Sequence, residues 1–263
     1  MLRKLLKYDL KNTFKLLSVF YILAIFFAIL TRIFLSIENS FVMDIIGKIC
    51  SGTTIALMFN ILINSIMRAW VRFKQSLYGD ESYLTHTLPI DKKPLYNSKI
   101  LTSLITLFIS IAMIALILFI AYYSKENMIL LKNLLLPVAD IYETSIMKII
   151  IAFLLIIFVE FAATLQSGFT GIILGHKMNN NKLAYSILFG FIAYMVIQIL
   201  GIITLFTGAL FNSDLMNLFI TNQMVSIDMI KIVIYLSIGF YSVSILIGYI
   251  FNLYMFKKGV NVD

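Results

Sequence analysis

Six long apolar runs constrain the fold of this chain more than any other feature. They cover about residues 16–35, 45–67, 100–123, 146–175, 183–210 and 229–256. A helix needs about 20 mostly apolar residues to cross a bilayer core about 30 Å thick, and each run reaches that length. The runs are continuous rather than alternating, which excludes an outer-membrane β-barrel. The sequence therefore predicts an all-α membrane protein with six transmembrane helices in a single transmembrane domain, residues 1–263.

The composition supports this prediction and excludes several other classes. Hydrophobic residues make up 61% of the chain and charged residues only 13%, against about 25% charged in soluble domains. The single cysteine, Cys50, excludes an internal disulfide and a cysteine-ligated metal cluster. Positive charges precede the first apolar run, as in a signal peptide, but no small-residue cleavage site follows. A retained first span is therefore predicted.

The distribution of Lys and Arg predicts the orientation. With the N-terminus inside, the inner segments contain 15 of the 21 basic residues: five in 1–15, six in 68–99, two in 177–182 and two in 257–258. Cytoplasmic loops of membrane proteins are enriched in Lys and Arg. Both termini of this multi-pass protein are thus predicted to be cytoplasmic. The net charge of +8 then reflects topology and attraction to anionic membrane lipid, with no nucleic acid as a partner.

Residues 1–15 have amphipathic spacing. Their apolar residues are Leu2, Leu5, Leu6, Leu10 and Phe14, with Lys and Arg between them. This pattern predicts a short helix lying on the membrane surface. The alternative is a basic flank that only orients the first span.

The longest polar interruption is the segment 68–99, RAWVRFKQSLYGDESYLTHTLPIDKKPLYNSK, which contains the only Trp. Its first part extends the second span. A turn at Gly79 then leads to a short helix over residues 82–87, capped by Asp80 or Glu81 and ended by Pro89. Because this helix offers Tyr83, Leu84 and Leu88 at the membrane surface, the pattern indicates a docking element. The alternative is an ordinary ordered loop.

Two other segments are too polar to cross a membrane. Residues 124–143 predict a short interfacial helix that ends near Pro137. Residues 211–228 are mixed in character and predict a second interfacial segment.

A few polar residues lie inside the apolar runs. Asn60 and Asn64 are four residues apart and share one helical face, which predicts that this face looks into the protein. Glu160 lies in the middle of the fourth run, and Gln198 lies in the fifth. A carboxylate at this depth costs at least about 3 kcal/mol, so it usually faces a cavity or a partner. Glu160 has two possible roles. It either couples transport to protons or contacts the substrate, or it is a structural residue that hydrogen-bonds to Asn60, Asn64 or Gln198.

The sequence shows no pattern for catalysis. His86 and His176 have no zinc-ligand spacing, so no metal site is predicted. No G-x-x-x-x-G-K-[ST] sequence occurs, which excludes ATP binding through a P-loop in this chain, and there is no G-x-S-x-G elbow. The chain is therefore predicted not to be an enzyme. No cofactor is expected to bind it.

The segment 68–99 resembles a loop of the integral-membrane subunits of bacterial ABC-2-type ABC transporters. In small six-span permeases of low-GC Gram-positive bacteria, a G-[DE]-E-x-Y-L-x-x-[ST]-L-P motif joins spans 2 and 3. The residues that match this motif are Gly79, Asp80, Glu81, Tyr83, Leu84, Thr87, Leu88 and Pro89. The N-terminal LRKLLKYDLKNTFK and the turn ILGHKMNNNK are also similar to this family, so the resemblance covers essentially the whole chain.

The resemblance implies an ATP-driven exporter in the bacterial cytoplasmic membrane. It implies that this chain pairs with a second permease, which is either an identical copy or a sister permease. Each of the two permeases would bind a cytoplasmic ATPase that holds ATP and Mg²⁺. Residues 1–15 would be an elbow helix, and 211–228 would form re-entrant external helices. The segment 68–99 would carry a coupling helix, for which the ATPase-contacting residues are Glu81, Tyr83, Leu84, His86 and Leu88. The substrate would be hydrophobic or amphipathic: an antimicrobial peptide, a drug or an envelope component. The alternative function is a proton-coupled secondary transporter that uses Glu160, although no inverted repeat is evident.

Overall fold

The computed structural model describes residues 2–37, 40–87, 89–141, 143–212, 215–216, 219 and 227–259. Its helices are α1 (Leu2–Leu35), α2 (Phe41–Leu77), α3 (Ser82–Thr87), α4 (Lys92–Tyr122), α5 (Lys125–Ile141), α6 (Ile146–Gly175), α7 (Lys182–Phe211) and α8 (Ile227–Lys257). The described residues contain no β-strand. Among them, α1, α2, α4, α6, α7 and α8 are long and apolar enough to cross a membrane. The prediction of an all-α protein with six such helices is confirmed.

Two predicted helix boundaries are wrong. The surface helix predicted for residues 1–15 is not separate, because α1 continues without a break from Leu2 to Leu35, a range that contains no Gly or Pro to interrupt it. The helix expected to end near Pro137 continues to Ile141. A proline removes a backbone donor, but the last turn of α5 is held by packing, with Ala139 buried.

The polar segment 68–99 is mostly helical. α2 extends to Leu77, α3 forms over the predicted residues 82–87, and α4 begins at Lys92. Lys, Arg and Gln have high helix propensity, so the helices continue beyond the apolar runs. Most of the segment predicted to be interfacial at 211–228, including 220–226, lies outside the described residues, as does Leu88.

The chain divides into two compact units. Unit 1 comprises Met1–Arg72 and Pro94–Leu134, and unit 2 comprises Phe73–Lys93 and Leu135–Asp263. The core of unit 1 joins α1, α2 and α4 through Leu17, Tyr21, Ala24, Ala28, Met58, Ile61, Ile117 and Ala121. Hydrogen bonds between helices supplement this core, as is common in membrane bundles. Tyr21 pairs with Ser110 at 2.8 Å, and Thr31 pairs with Thr54 at 3.2 Å.

In unit 2, α6 packs against both α7 and α8. The approach of α7 depends on small residues: a Cβ at Gly171 would lie 2.4 Å from the backbone oxygen of Ser186 and 2.5 Å from the Cα of Gly190. Between α6 and α8, buried Asn252 accepts a hydrogen bond from Thr170 (2.9 Å) and donates one to the Gln166 side chain (3.1 Å). Helices in lipid associate through the close packing of small residues and through hydrogen bonds between polar side chains, since no hydrophobic effect acts between them. These contacts therefore hold α7 and α8 against α6, which is the central helix of unit 2.

Candidate functional site

The part of the polar segment that belongs to unit 2, residues 73–93, is anchored by aromatic rings. The Phe73 ring lies 4.5 Å from that of Phe169 on α6, measured between centroids. The Tyr78 ring lies 4.4 Å from His176, at the end of α6, and 6.5 Å from Phe256 on α8. Phe73, Tyr78 and Phe256 are all buried. The end of α2 is therefore packed against the ends of two other helices.

A tight turn connects this anchor to α3. The amides of Tyr78 and Gly79 both donate to the Lys74 carbonyl, at 2.9 and 3.0 Å, and the Ser82 amide donates to the Gly79 carbonyl at 2.8 Å. Ser82 is buried. The Nε2–H of His86 donates to the Leu77 carbonyl at 3.0 Å, and its ring lies 6.4 Å from Phe256. One face of α3 is thus fixed to the end of α2 and to α8.

The opposite face of α3 presents large apolar side chains. Tyr83 is 65% exposed and Leu84 is 75% exposed. Of the other predicted contact residues, Glu81 is half-buried, and its carbonyl accepts a hydrogen bond from the Thr85 amide at 3.0 Å. His86 lies on the anchored side rather than beside Tyr83. The structure therefore separates the predicted set into an exposed pair and an anchoring histidine.

We expect Phe256→Ala to loosen α3. Truncating a fully buried Phe removes about 3–5 kcal/mol of packing, and Phe256 contacts both Tyr78 and His86. Trypsin cleavage after Lys92 in native membranes should accelerate, and the unfolding temperature should fall. Phe251→Ala on the same helix, at a position that is 42% exposed, is the matched control. Equal cleavage rates in the two variants would contradict the role of Phe256 in holding α3.

In unit 1, a buried ion cluster joins the helices that flank residues 73–93. Asp9 on α1 is 1% exposed. The Lys99 ammonium on α4 donates to both Asp9 oxygens at 2.8 Å, and the Arg72 Nε on α2 lies 3.4 Å from Oδ1. The Arg72 guanidinium also lies 5.4 Å from the centroid of the Tyr8 ring. Asp9 on α1 thereby connects α2, which leads into residues 73–93, with α4, which follows them.

The sequence contained a signal for this cluster. Asp9 follows Leu2 by seven residues and Leu6 by three, so it lies on the apolar face of the amphipathic stretch. A carboxylate on an apolar face needs a cationic partner. The identity of that partner is not readable from local sequence, because Arg72 and Lys99 lie 63 and 90 positions away.

The polar residues predicted inside the spans fall into two groups. In unit 1, the Asn64 amide hydrogen-bonds the Asn60 side chain. Asn64 is half-buried and Asn60 is exposed, so the orientation of this face stays a prediction. In unit 2, Gln198 on α7 and Tyr241 on α8 both line a cavity of about 110 Å³ between these two helices. Glu160 is half-buried. Tyr241, which lines the cavity beside Gln198, was not predicted from the sequence.

No group of three His, Cys, Asp or Glu side chains among the described residues could hold a metal ion. No protein-family model, curated protein or solved structure matches this chain. The resemblance to ABC-2-type permeases therefore stays a prediction from the motif at residues 79–89.

Proposed function

We propose that this chain is the membrane-spanning permease subunit of an ATP-driven ABC exporter that moves a hydrophobic or amphipathic substrate. α3 is its coupling helix and docks into a groove of a separate cytoplasmic ATPase. The observation that carries this proposal is the two-sided character of α3. Tyr83 and Leu84 are exposed on one face, and the other face is fixed through His86 and the buried Tyr78.

This arrangement suits the transmission of a mechanical push. Exposed apolar side chains on a polar segment mark a binding surface, and Tyr is enriched among residues that dominate interface energetics. A docked helix transmits movement only if its attachment is stiff. The packing of Phe73 and Tyr78 against α6 and α8 supplies that stiffness within unit 2.

The remaining components of the transporter follow from the chain's composition. Without a P-loop, ATP and Mg²⁺ belong to the partner ATPase. In this proposal the termini and α3 are cytoplasmic, as the distribution of Lys and Arg indicates. α7 and α8 bury little of their surface within the described chain. Their exposed apolar faces meet lipid and a second permease, either another copy or a sister chain.

Affinity purification of the full chain from its native membrane tests the proposal. We expect a P-loop ATPase with an ABC signature motif to co-purify at one copy per permease chain, and vanadate-sensitive ATP hydrolysis to accompany it. If the purified chain supports substrate transport in proteoliposomes without any ATPase, the proposal is contradicted.

A proton-coupled secondary transporter is the second candidate. It is favoured by Glu160, a half-buried acid in the middle of α6 that forms no ion pair with a basic residue in the described part of the chain. In that case, a proton gradient alone drives transport, and Glu160→Gln abolishes it. In an ABC exporter, transport requires ATP even when a gradient is present.

A further inference from the structure

The first four turns of α1 have a basic face. Their Lys and Arg side chains lie within an arc of about 120° when successive residues are placed about 100° apart, as in an α-helix. They run about 18 Å along the helix axis, and all of them are exposed. We call this set the basic stripe. Its members are Arg3, Lys4, Lys7, Lys11 and Lys15.

The opposite face of the same turns is packed within unit 1. Asp9 and Thr13 on this face are buried. Asp9 is held by Lys99 on α4 and by Arg72 on α2. The centre of the basic stripe lies about 180° from Asp9 around the helix. The stripe therefore points away from α2 and α4 and is available to a partner.

The charge of the basic stripe is not neutralised by the chain. Asp9 is the only acid in residues 1–37, and it faces the other way. Among the residues that the structure describes, no carboxylate forms an ion pair with any of the five basic side chains. Like charges four residues apart on a helix repel one another. An anionic partner relieves this repulsion, so the stripe fits a negatively charged surface.

The position of the stripe favours phospholipid headgroups as that surface. α1 continues without a break from the stripe into the apolar run that begins at about residue 16. With that run in the hydrocarbon core, Lys15 lies at the edge of the core. Lys11 lies about 6 Å further out, in a headgroup layer about 5–7 Å thick. Lys7 is about 6 Å beyond Lys11, within one Debye length, about 8 Å, of the headgroups.

We propose that the basic stripe binds the anionic headgroups of membrane phospholipids. Lys7, Lys11 and Lys15 make the contacts, because long Lys side chains extend along the helix toward the interface. Arg3 and Lys4 add attraction at longer range. Each basic residue near an anionic membrane surface favours binding by about fivefold. The proposal does not depend on the exporter assignment, since it requires only that α1 crosses the membrane.

Energy transfer from Trp70, the only Trp in the chain, tests this proposal. Trp70 lies on α2 two residues before Arg72, which pairs with Asp9 on α1, so the donor is close to the end of α1 that carries the stripe. The purified full chain in a neutral maltoside detergent is titrated with phosphatidylglycerol or phosphatidylcholine, each with a pyrene in its acyl chain. At low salt, we expect phosphatidylglycerol to bind at least tenfold more tightly. This preference should fall several-fold at high salt, which screens exposed charges.

The triple substitution Lys7→Gln, Lys11→Gln, Lys15→Gln should lower the affinity for phosphatidylglycerol at least tenfold and leave phosphatidylcholine binding unchanged. A matched control changes the net charge equally and should retain the affinity. It replaces three exposed lysines outside α1: Lys125→Gln, Lys132→Gln and Lys148→Gln. Both variants should unfold near the temperature of the unsubstituted chain, because substitutions of exposed side chains usually have small effects on stability.

Three results would overturn the proposal. These are equal affinity for the two lipids in the unsubstituted chain, an equal loss of phosphatidylglycerol binding in the two triple variants, and a preference that high salt does not reduce. An acidic soluble protein is the other class of partner that a basic stripe fits. None is present in this assay, so absence of a lipid preference would point to such a protein instead. The assay also contains no ATPase, so its outcome leaves the exporter assignment untouched.

Discussion

Asp9→Asn should cost the chain about 3–5 kcal/mol of stability, the range measured when one partner of a buried ion pair is removed. The substitution keeps the shape of the side chain but removes the negative charge between Lys99 and Arg72. Lys99, whose side chain is almost fully buried, holds both Asp9 oxygens at 2.8 Å. Taking away its counter-charge leaves an ammonium in a poorly solvated site. Thermal unfolding in detergent should show a large decrease in midpoint and a low yield of folded protein.

The chain provides a matched control for this substitution. Asp44 forms an exposed pair with Lys48, four residues away on α2. Exposed pairs contribute about 0–1 kcal/mol, so Asp44→Asn should leave the unfolding midpoint nearly unchanged. Combining Asp9→Asn with Lys99→Met should recover part of the lost stability, because the buried charge is removed. If Asp9→Asn and Asp44→Asn gave the same midpoint, the ion cluster would not hold the helices together.

The double substitution Tyr83→Ser and Leu84→Ser should abolish coupling without unfolding the chain. Both side chains are largely exposed, and surface substitutions usually change stability by less than about 0.5 kcal/mol. Burying a large apolar side chain in a partner contributes about 1.5–3 kcal/mol. Losing two such contacts, about 4 kcal/mol together, weakens docking about a thousandfold. Substrate-stimulated ATP hydrolysis and transport should fall to background.

Leu130→Ser with Leu134→Ser is the control for this pair. These α5 residues are also largely exposed and apolar, but they belong to the segment predicted on the outer side. Their substitution should leave ATP hydrolysis coupled to transport. Wild-type assembly and unchanged substrate-stimulated hydrolysis in the Tyr83→Ser, Leu84→Ser variant would refute the role of α3.

Hydropathy predicted the membrane helices because burial in lipid depends on the composition of a run rather than on its partners. It placed their ends less well. The apolar run of the second span ends at Met67, but α2 continues to Leu77, in agreement with the predicted extension of this span, because Arg68, Arg72 and Lys74 favour a helix. Pro137, by contrast, was expected to end a helix that continues to Ile141.

The candidate site was only partly predictable. The short helix 82–87 follows from local signals: a turn at Gly79 before it and Pro89 after it. Its orientation does not, because the contact of Tyr78 with His176 joins residues 98 positions apart. For the same reason, His86 was grouped with the exposed Tyr83 and Leu84 by sequence proximity. Asp9 acts through partners on two other helices, so its role emerges only from the packing.

Site-specific photo-crosslinking from position 84 tests the central claim most directly. A benzoylphenylalanine replacing Leu84 in the full chain, irradiated in native membranes, should form an adduct with a soluble protein whose peptides include a P-loop and an ABC signature motif. The same residue at position 130 should form no such adduct. An ATPase adduct at 84 alone is the predicted result. Absence of that adduct, or equal crosslinking from 130, would contradict the assignment of α3 as the coupling helix.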